Sequence, residues 1–327
     1  MATDVLLVSL GGTTGLREAD EELAGSLRRA GATGALVRAE RVREWRTYAG
    51  IELAWALSAR RAATAAIARH SPRAVVYSST TAALLAPRRG AIRFDAPAAG
   101  NRPGRHGIWQ RPVERRRFAA AALLLPRSPG ALAEVPTPHA PAVVVPVPVE
   151  PSGPAGEPRD FAAITYGANP HKKGLDRVLA AWRSARRDQE ELLVAGVAGH
   201  DEPGIRHLGA LDRAAYRALV RRARVFLTAP RREDHGIAQL EALADGCVLV
   251  TTPSPGPYAA LPIARALDPR TVTSDLPAGI RAALDTPVAG YGARAAEALV
   301  PLRHDAIDAV VRDEVLPRLL GRVSPGR

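Results

Sequence analysis

Cysteine is nearly missing from this 327-residue chain: Cys247 is the only one, which excludes an internal disulfide and any cysteine metal cluster. It lies in the apolar run 247–250, so a buried structural thiol is expected. Aromatic residues are scarce as well, 4% of the chain, and they form no stacking platform among the arginines. That argues against nucleic acid as a partner. No uninterrupted apolar stretch approaches the roughly 18 residues of a membrane-spanning helix. Residues 1–10 run into Gly11 and Gly12 without a basic leader, so the expected location is cytoplasmic. The 8 histidines show no metal-ligand spacing and no Asp-x-Asp pair occurs, so neither a metal nor another cofactor is expected. Lysine is the rarest cation. Among 45 basic residues only Lys172 and Lys173 are lysine.

What is abundant is arginine, with alanine and proline, and a net charge of +12. Such a balance favours anionic partners: phosphorylated ligands, or weak contact with an anionic membrane surface through Arg115, Arg116 and Arg117 beside Phe118, peripheral at the inner membrane face. The length exceeds what one core usually serves, and two domains of roughly 150 residues each are the natural reading.

Apolar runs at 5–9, 35–37, 74–77, 123–125 and 143–145 alternate with helical patterns such as 51–70, which predicts a parallel, doubly wound α/β sheet. The first helix has Glu18, Asp20, Glu21 and Glu22 near its start and Arg28 and Arg29 near its end, matching the helix dipole. Eight prolines between Pro136 and Pro158 break the rhythm. It restarts with strands at 161–166, 191–194, 225–228 and 247–251 and helices at 175–185, 213–223 and 237–244. We therefore expect a first domain over 1–148, a linker over 149–159 and a second domain over 160–304. Residues 305–327 form a terminal amphipathic helix, kinked at Pro317, that crosses back onto the first domain. Ligands of doubly wound sheets bind at the carboxyl ends of the strands, here in a cleft between two Rossmann-like domains.

The most informative segment is Arg232-Glu233-Asp234-His235-Gly236-Ile237-Ala238-Gln239-Leu240-Glu241-Ala242-Leu243-Ala244-Asp245-Gly246, followed by an apolar strand. Glu233 stands on a loop feeding a helix, Gly236 permits close backbone approach, and the amides of Gly236, Ile237 and Ala238 face an anion from a helix N-terminus. The segment resembles family 4 GT-B glycosyltransferases, which carry two glutamates with seven residues between them and then Glu-Ala-Leu-Ala-x-Gly. The resemblance implies that Glu233 contacts the donor sugar and Glu241 the nucleotide ribose. A second segment, Gly167-Ala168-Asn169-Pro170-His171-Lys172-Lys173-Gly174-Leu175-Asp176, resembles the family's diphosphate grip, Gly-Arg, four residues, Lys-Gly-Leu-Asp. Lys173 takes the lysine position, and Ala168 stands where relatives have arginine. Lys172, His171 or Asn169 are the candidates to supply the missing donor.

In the first domain Gly12, within the turn 11–15, is the counterpart of the family's glycine-rich turn at the donor phosphates. It lacks the dinucleotide and P-loop spacings. Many relatives end a strand in His-Asp; here Phe94 replaces the histidine and Asp95 remains, with His106 as a conceivable displaced substitute. Asp95, Arg102, Arg105 and Trp109, in an irregular Pro/Gly/Arg-rich loop, are the acceptor candidates. The resemblance as a whole implies a retaining, metal-independent, hexosyltransferase-type enzyme. It would move a sugar from a nucleotide-diphosphate donor to a glycan, lipid or small-molecule acceptor, with Lys173 and Glu233 at the chemistry. The alternatives are a catalytically degenerate sugar-nucleotide-binding protein and a sugar-nucleotide epimerase on the same architecture.

Overall fold

A computed structural model of the protein describes residues 3–12, 14–43, 47–102, 104–154 and 158–321. The chain divides into two compact units, Met1–Pro148 with His304–Arg327, and Val149–Arg303. Thr13 of the glycine turn, Pro103 of the acceptor loop and residues 155–157 of the linker lie outside the described residues.

The first unit holds five parallel strands, β1 Val5–Ser9, β2 Gly34–Arg38, β3 Ala74–Tyr77, β4 Ala91–Phe94 and β5 Leu123–Pro126, in the order β2-β1-β3-β4-β5. Both faces are covered, which is why most of these strands read as unbroken apolar runs and not as alternation. The period-2 pleat divides β1 between two cores. Leu6 and Val8 pack with Ala59, Ala63 and Ala66 of the helix Tyr48–His70. Val5 and Leu7 pack with Leu23 and Leu27 of the helix Thr14–Arg29 and with Ile307, Val311 and Val315 of the last helical segment. Phe118 is in the first of these cores, so it is not available to a membrane, whereas Arg115 and Arg116 are exposed.

The second unit repeats the plan with β6 Phe161–Tyr166, β7 Leu192–Ala195, β8 Ile205–Gly209, β9 Ala223–Thr228 and β10 Val248–Thr251, ordered β10-β9-β6-β7-β8 and all parallel. Its core gathers Ile164, Leu193, Phe226, Leu249 and Trp182 with other apolar side chains. Cys247 is fully buried, and that burial pushes its thiol up to about 12. Residues 149–154 are held on this unit. Val149 N–H donates to Leu302 O at 2.9 Å, and Ser152 donates from N and Oγ to Asp245 at 2.7 and 2.9 Å.

Two readings of the sequence are corrected, and a third gains local detail. Residues 143–145 are no strand. Val143 and Val145 donate to Leu124 and Pro126, but Pro141, which faces β5 in the same register, has no N–H to give, so no ladder develops beyond the Leu124–Ala142 bridge. Strand β8 was not expected, because Arg206 and His207 interrupt the apolar residues Ile205 and Leu208 of a short edge strand. At Pro317, where a kink was expected, the helical segment continues. A π-helical turn over Val311–Val315 precedes the segment Leu316–Leu320, widening the helix where the ring would otherwise meet the carbonyl four residues back. Among the described residues no helix is long and apolar enough to cross a membrane.

Candidate functional site

In the second unit the chain leaves β6 toward β7 and β8 on one side and returns to β9, from which β10 lies on the other. The crevice beyond the carboxyl ends of β6 and β9 is therefore the topological switch point, where doubly wound sheets bind ligands. The loops meeting there carry Lys172, Lys173 and Glu233.

Local sequence explains how they are posed. After Tyr166 the chain turns through Asn169, whose left-handed backbone (φ 57°) and side chain, accepting from Lys172 N–H at 3.2 Å, cap the short turn Pro170–Lys173. Gly174 follows at φ +64°, so close to the other loop that a Cβ there would lie 1.9 Å from Ala229 O. Only glycine allows that approach. Gly236, at φ +81°, starts the helix Ile237–Ala244, and a Cβ on it would meet the Tyr258 ring at 2.8 Å.

The charges then pair across the crevice. Lys173 Nζ lies 2.7 Å from Glu233 Oε2, which also accepts from Gln239 Nε2 at 3.1 Å. Lys172 Nζ lies 2.9 Å from Asp234, which Arg232 Nε reaches at 2.8 Å. Glu233 is only 4% exposed, and its own N–H donates to Pro255 O at 3.1 Å, so the carboxylate is held from both ends. The first-turn N–H groups of the helix Ile237–Ala244 have no intrahelical acceptor by geometry. Ala238 and Gly236 are buried and Ile237 is partly exposed. Beside them Arg231 grips Asp176 with two bonds of 3.0 and 2.7 Å and holds that carboxyl down at about 2.

Glu241 is on the same helix but engages a different pair. Arg213 reaches its Oε1 at 2.5 Å and Arg217 at 3.2 Å, and Arg217 Nε donates to Asp245 at 2.7 Å. Sequence reading missed both arginines. Arg213 and Arg217 lie four apart on one predicted helix, but no local pattern showed that Glu241 and Asp245, each 28 residues further on, would be their partners.

In the first unit Gly12 is exposed, and the turn before it is tied down: Gly11 N–H donates to Ser9 Oγ at 3.0 Å, and Arg17 donates to Gly11 O at 3.0 Å. Ser9 in turn donates to Asp20, as does Ser78 at 2.9 Å. Asp20 thus does more than complement a helix dipole: two serine hydroxyls donate to it. It is fully buried against Ser9 at the end of β1 and Ser78 just after β3, and burial raises its pKa. Arg93, 1% exposed, lies 3.8 Å from it, and burial with the nearby Arg127 charge lowers that guanidinium to about 9. Phe94 is a core side chain stacked at a tilt on Phe118, 4.9 Å between centroids.

The acceptor candidates separate. Arg102 pairs with Glu52 at 2.6 Å, and Trp109 Nε1 donates to Ala49 O at 3.3 Å, so both dock on the helix Tyr48–His70. Asp95 faces Arg127 at 3.8 Å, while Arg105 and His106 are exposed. Beneath them Glu114 accepts from Ala98 N–H at 2.7 Å, and burial pushes its carboxyl up to about 7. Among the described residues no group of three His, Cys, Asp or Glu side chains is placed to hold a metal ion.

No family model and no curated protein matches the sequence. Solved structures do match in fold. A sucrose-phosphate synthase from Thermosynechococcus elongatus superposes with a TM-score of 0.72 at 14% identity, covering 94% of this chain and 96% of that one. WaaG, a glycosyltransferase involved in lipopolysaccharide biosynthesis, gives 0.66 at 15%, covering 94% and 99%. An α,α-trehalose-phosphate synthase (UDP-forming) from Burkholderia xenovorans, in complex with glucose-6-phosphate, gives 0.65 at 14%, covering 98% and 100%. The chain has the GT-B fold of these enzymes: two α/β units, each with a parallel five-stranded sheet.

Proposed function

We propose that the protein is a retaining, metal-independent glycosyltransferase that moves a hexosyl group from a nucleoside-diphosphate donor to an acceptor hydroxyl. The observation that carries this reading is the Lys173–Glu233 pair at the switch point, beside the first turn of the helix Ile237–Ala244. A diphosphate arriving there meets an ammonium and helix-terminal amides, which together neutralise the charge that grows on the leaving nucleotide. Lys173 transfers its pairing from Glu233 to phosphate oxygen. Glu233, still steadied by Gln239, then accepts hydrogen bonds from sugar hydroxyls. Glu241, with Arg213 at its side, receives the ribose. Lys172 stands close enough to take part of the work that relatives give to the arginine at the position of Ala168.

Uridine is the first base to test, because one structural neighbour is described as UDP-forming. Asp95, Arg102, Arg105 and Trp109 are the proposed acceptor side. The core placement of Phe94, which leaves no histidine at that position, is what favours the second reading, a sugar-nucleotide-binding protein without turnover. The test is UDP release from UDP-sugars, with and without candidate acceptors, in the presence of a chelator. Acceptor-dependent release that persists in chelator is expected and is lost in Lys173→Ala. Release that needs added magnesium or manganese overturns the metal-independent mechanism, and UDP-sugar binding without release for any acceptor favours the second reading.

A further inference from the structure

In the same unit, between the helix Leu175–Ala185 and the start of the helix Leu276–Asp285, lies a cavity of about 590 Å³. Its chemistry is one-sided. Two guanidinium groups, Arg177 and Arg231, line it together with three hydroxyls and no carboxylate. Most arginines of this unit are held by acids, as Arg187 is by Asp285 and Arg281 by Glu190. Arg231 is held by Asp176, but the Arg177 guanidinium has neither hydrogen bond nor ion pair among the described residues. The walls are rigid and apolar: Pro230, Pro253, Pro255 and Pro277 contribute rings with fixed φ, so the space is preformed.

The cavity also backs onto both arms of the donor site. Ser254 on its wall donates to Pro230 O at 2.6 Å, and Pro255 O accepts from Glu233 N–H. Arg231 N–H donates to Lys172 O at 3.0 Å, and its side chain donates to His171 O at 2.6 Å. Whatever fills the cavity therefore touches the loop that carries Glu233 and, through Arg231, bears on the loop that carries Lys173.

We propose that this cavity is a binding site for a small organic oxyanion, a phosphate or carboxylate on an apolar body, held by Arg177 with Arg231 beside it. A planar guanidinium fork matches either oxyanion, and the proline rings match the apolar body. Binding here needs no nucleotide, so failure of the donor-site reading leaves it intact.

Calorimetric titration of the nucleotide-free protein with phenyl phosphate and with benzoate tests it. Saturable binding of at least one probe is expected, weakened about tenfold or more by Arg177→Ala, the loss anticipated when a hydrogen-bonded charge is removed. Lys173→Ala leaves it within about twofold. The stronger of the two probes tells phosphate from carboxylate. Ser274→Trp, which places a large side chain in the cavity from an exposed position, abolishes binding and serves if Arg177→Ala folds poorly. No saturable heat from either probe, or binding that survives both cavity variants, overturns the proposal. Binding lost in Lys173→Ala but kept in Arg177→Ala does so too, because the probe is then in the donor site.

Discussion

Lys173 Nζ and Glu233 Oε2, 2.7 Å apart, join the loop after β6 to the loop after β9. On the proposed function, the lysine's counter-ion is a group that the donor displaces. Replacing Glu233 by Gln frees the ammonium and removes a negative charge facing the diphosphate. We expect Glu233→Gln to bind UDP about threefold more tightly or better, while sugar transfer falls at least about tenfold for want of the carboxylate acceptor. Calorimetry and UDP release measure the two effects separately. Weaker UDP binding by this variant contradicts the assignment of the pair.

Lys172 has a different neighbour, and its removal leaves Asp234 still held by Arg232 at 2.8 Å. Lys172→Ala is therefore expected to cost less donor affinity than Lys173→Ala. A double-mutant cycle reads whether the two lysines share one diphosphate. An interaction term above roughly 0.5 kcal/mol is expected if they do, and additivity makes Lys172 a solvated neighbour.

Gly174 is the geometric hinge of the site. Its φ is positive, and a side chain there would bring its Cβ within 1.9 Å of Ala229 O, so Gly174→Ala forces the β6 and β9 loops apart. A loss of at least ~2 kcal/mol in urea unfolding is expected, with weaker UDP binding. A change below ~0.5 kcal/mol contradicts the close packing of the two loops.

How much of this was legible in the sequence follows from where the signals lie. Strands such as β3 and β6 appear at their exact bounds because parallel strands buried on both faces are plain apolar runs, and the site lysines and glutamates fall in motifs of fixed spacing. Strand β8 did not show, because its edge position lets Arg206 and His207 sit among its apolar residues. The dipole pattern around Asp20 did not show its burial, because Ser9 and Ser78 reach it only in the fold. The Arg217–Asp245 pair joins residues 28 apart, and no local pattern fixes which acid an arginine will meet. The cavity beside Arg177 is assembled from four separate segments and is invisible in any one of them.

Arg217 and Arg213 give a contrast of burial at one carboxylate. The Arg217 side chain is 6% exposed, and its loss leaves the buried Asp245 carboxylate with Ser152 but without its cation; Arg213 is 57% exposed. Denaturant unfolding is expected to report a loss of about 3 kcal/mol for Arg217→Ala and no more than about 1 kcal/mol for Arg213→Ala. Equal effects contradict the burial difference.

Glu114 predicts a pH dependence. Its folded pKa is raised to about 7 by burial, above the usual carboxyl value near 4.5. Between those values the folded state keeps a proton that the unfolded state has lost. Its contribution to stability therefore falls as pH rises from about 4.5 to about 7, and is level above that. Glu114→Gln retains an acceptor for Ala98 N–H but cannot ionise. Relative to the native protein it is expected to gain on the order of 2 kcal/mol between pH 4.5 and pH 8. Parallel pH profiles of the two proteins contradict the assignment.

The central claim is that Lys173, with the amides that open the helix Ile237–Ala244, holds a nucleoside diphosphate without a metal. Calorimetric titration of UDP in chelator, on the native protein and on Lys173→Ala, addresses it directly. The account predicts saturable one-to-one binding by the native protein and a loss of roughly 1.5–3 kcal/mol, about tenfold or more, in the variant. UDP binding that appears only with magnesium or manganese, or that is unchanged in a folded Lys173→Ala protein, contradicts it.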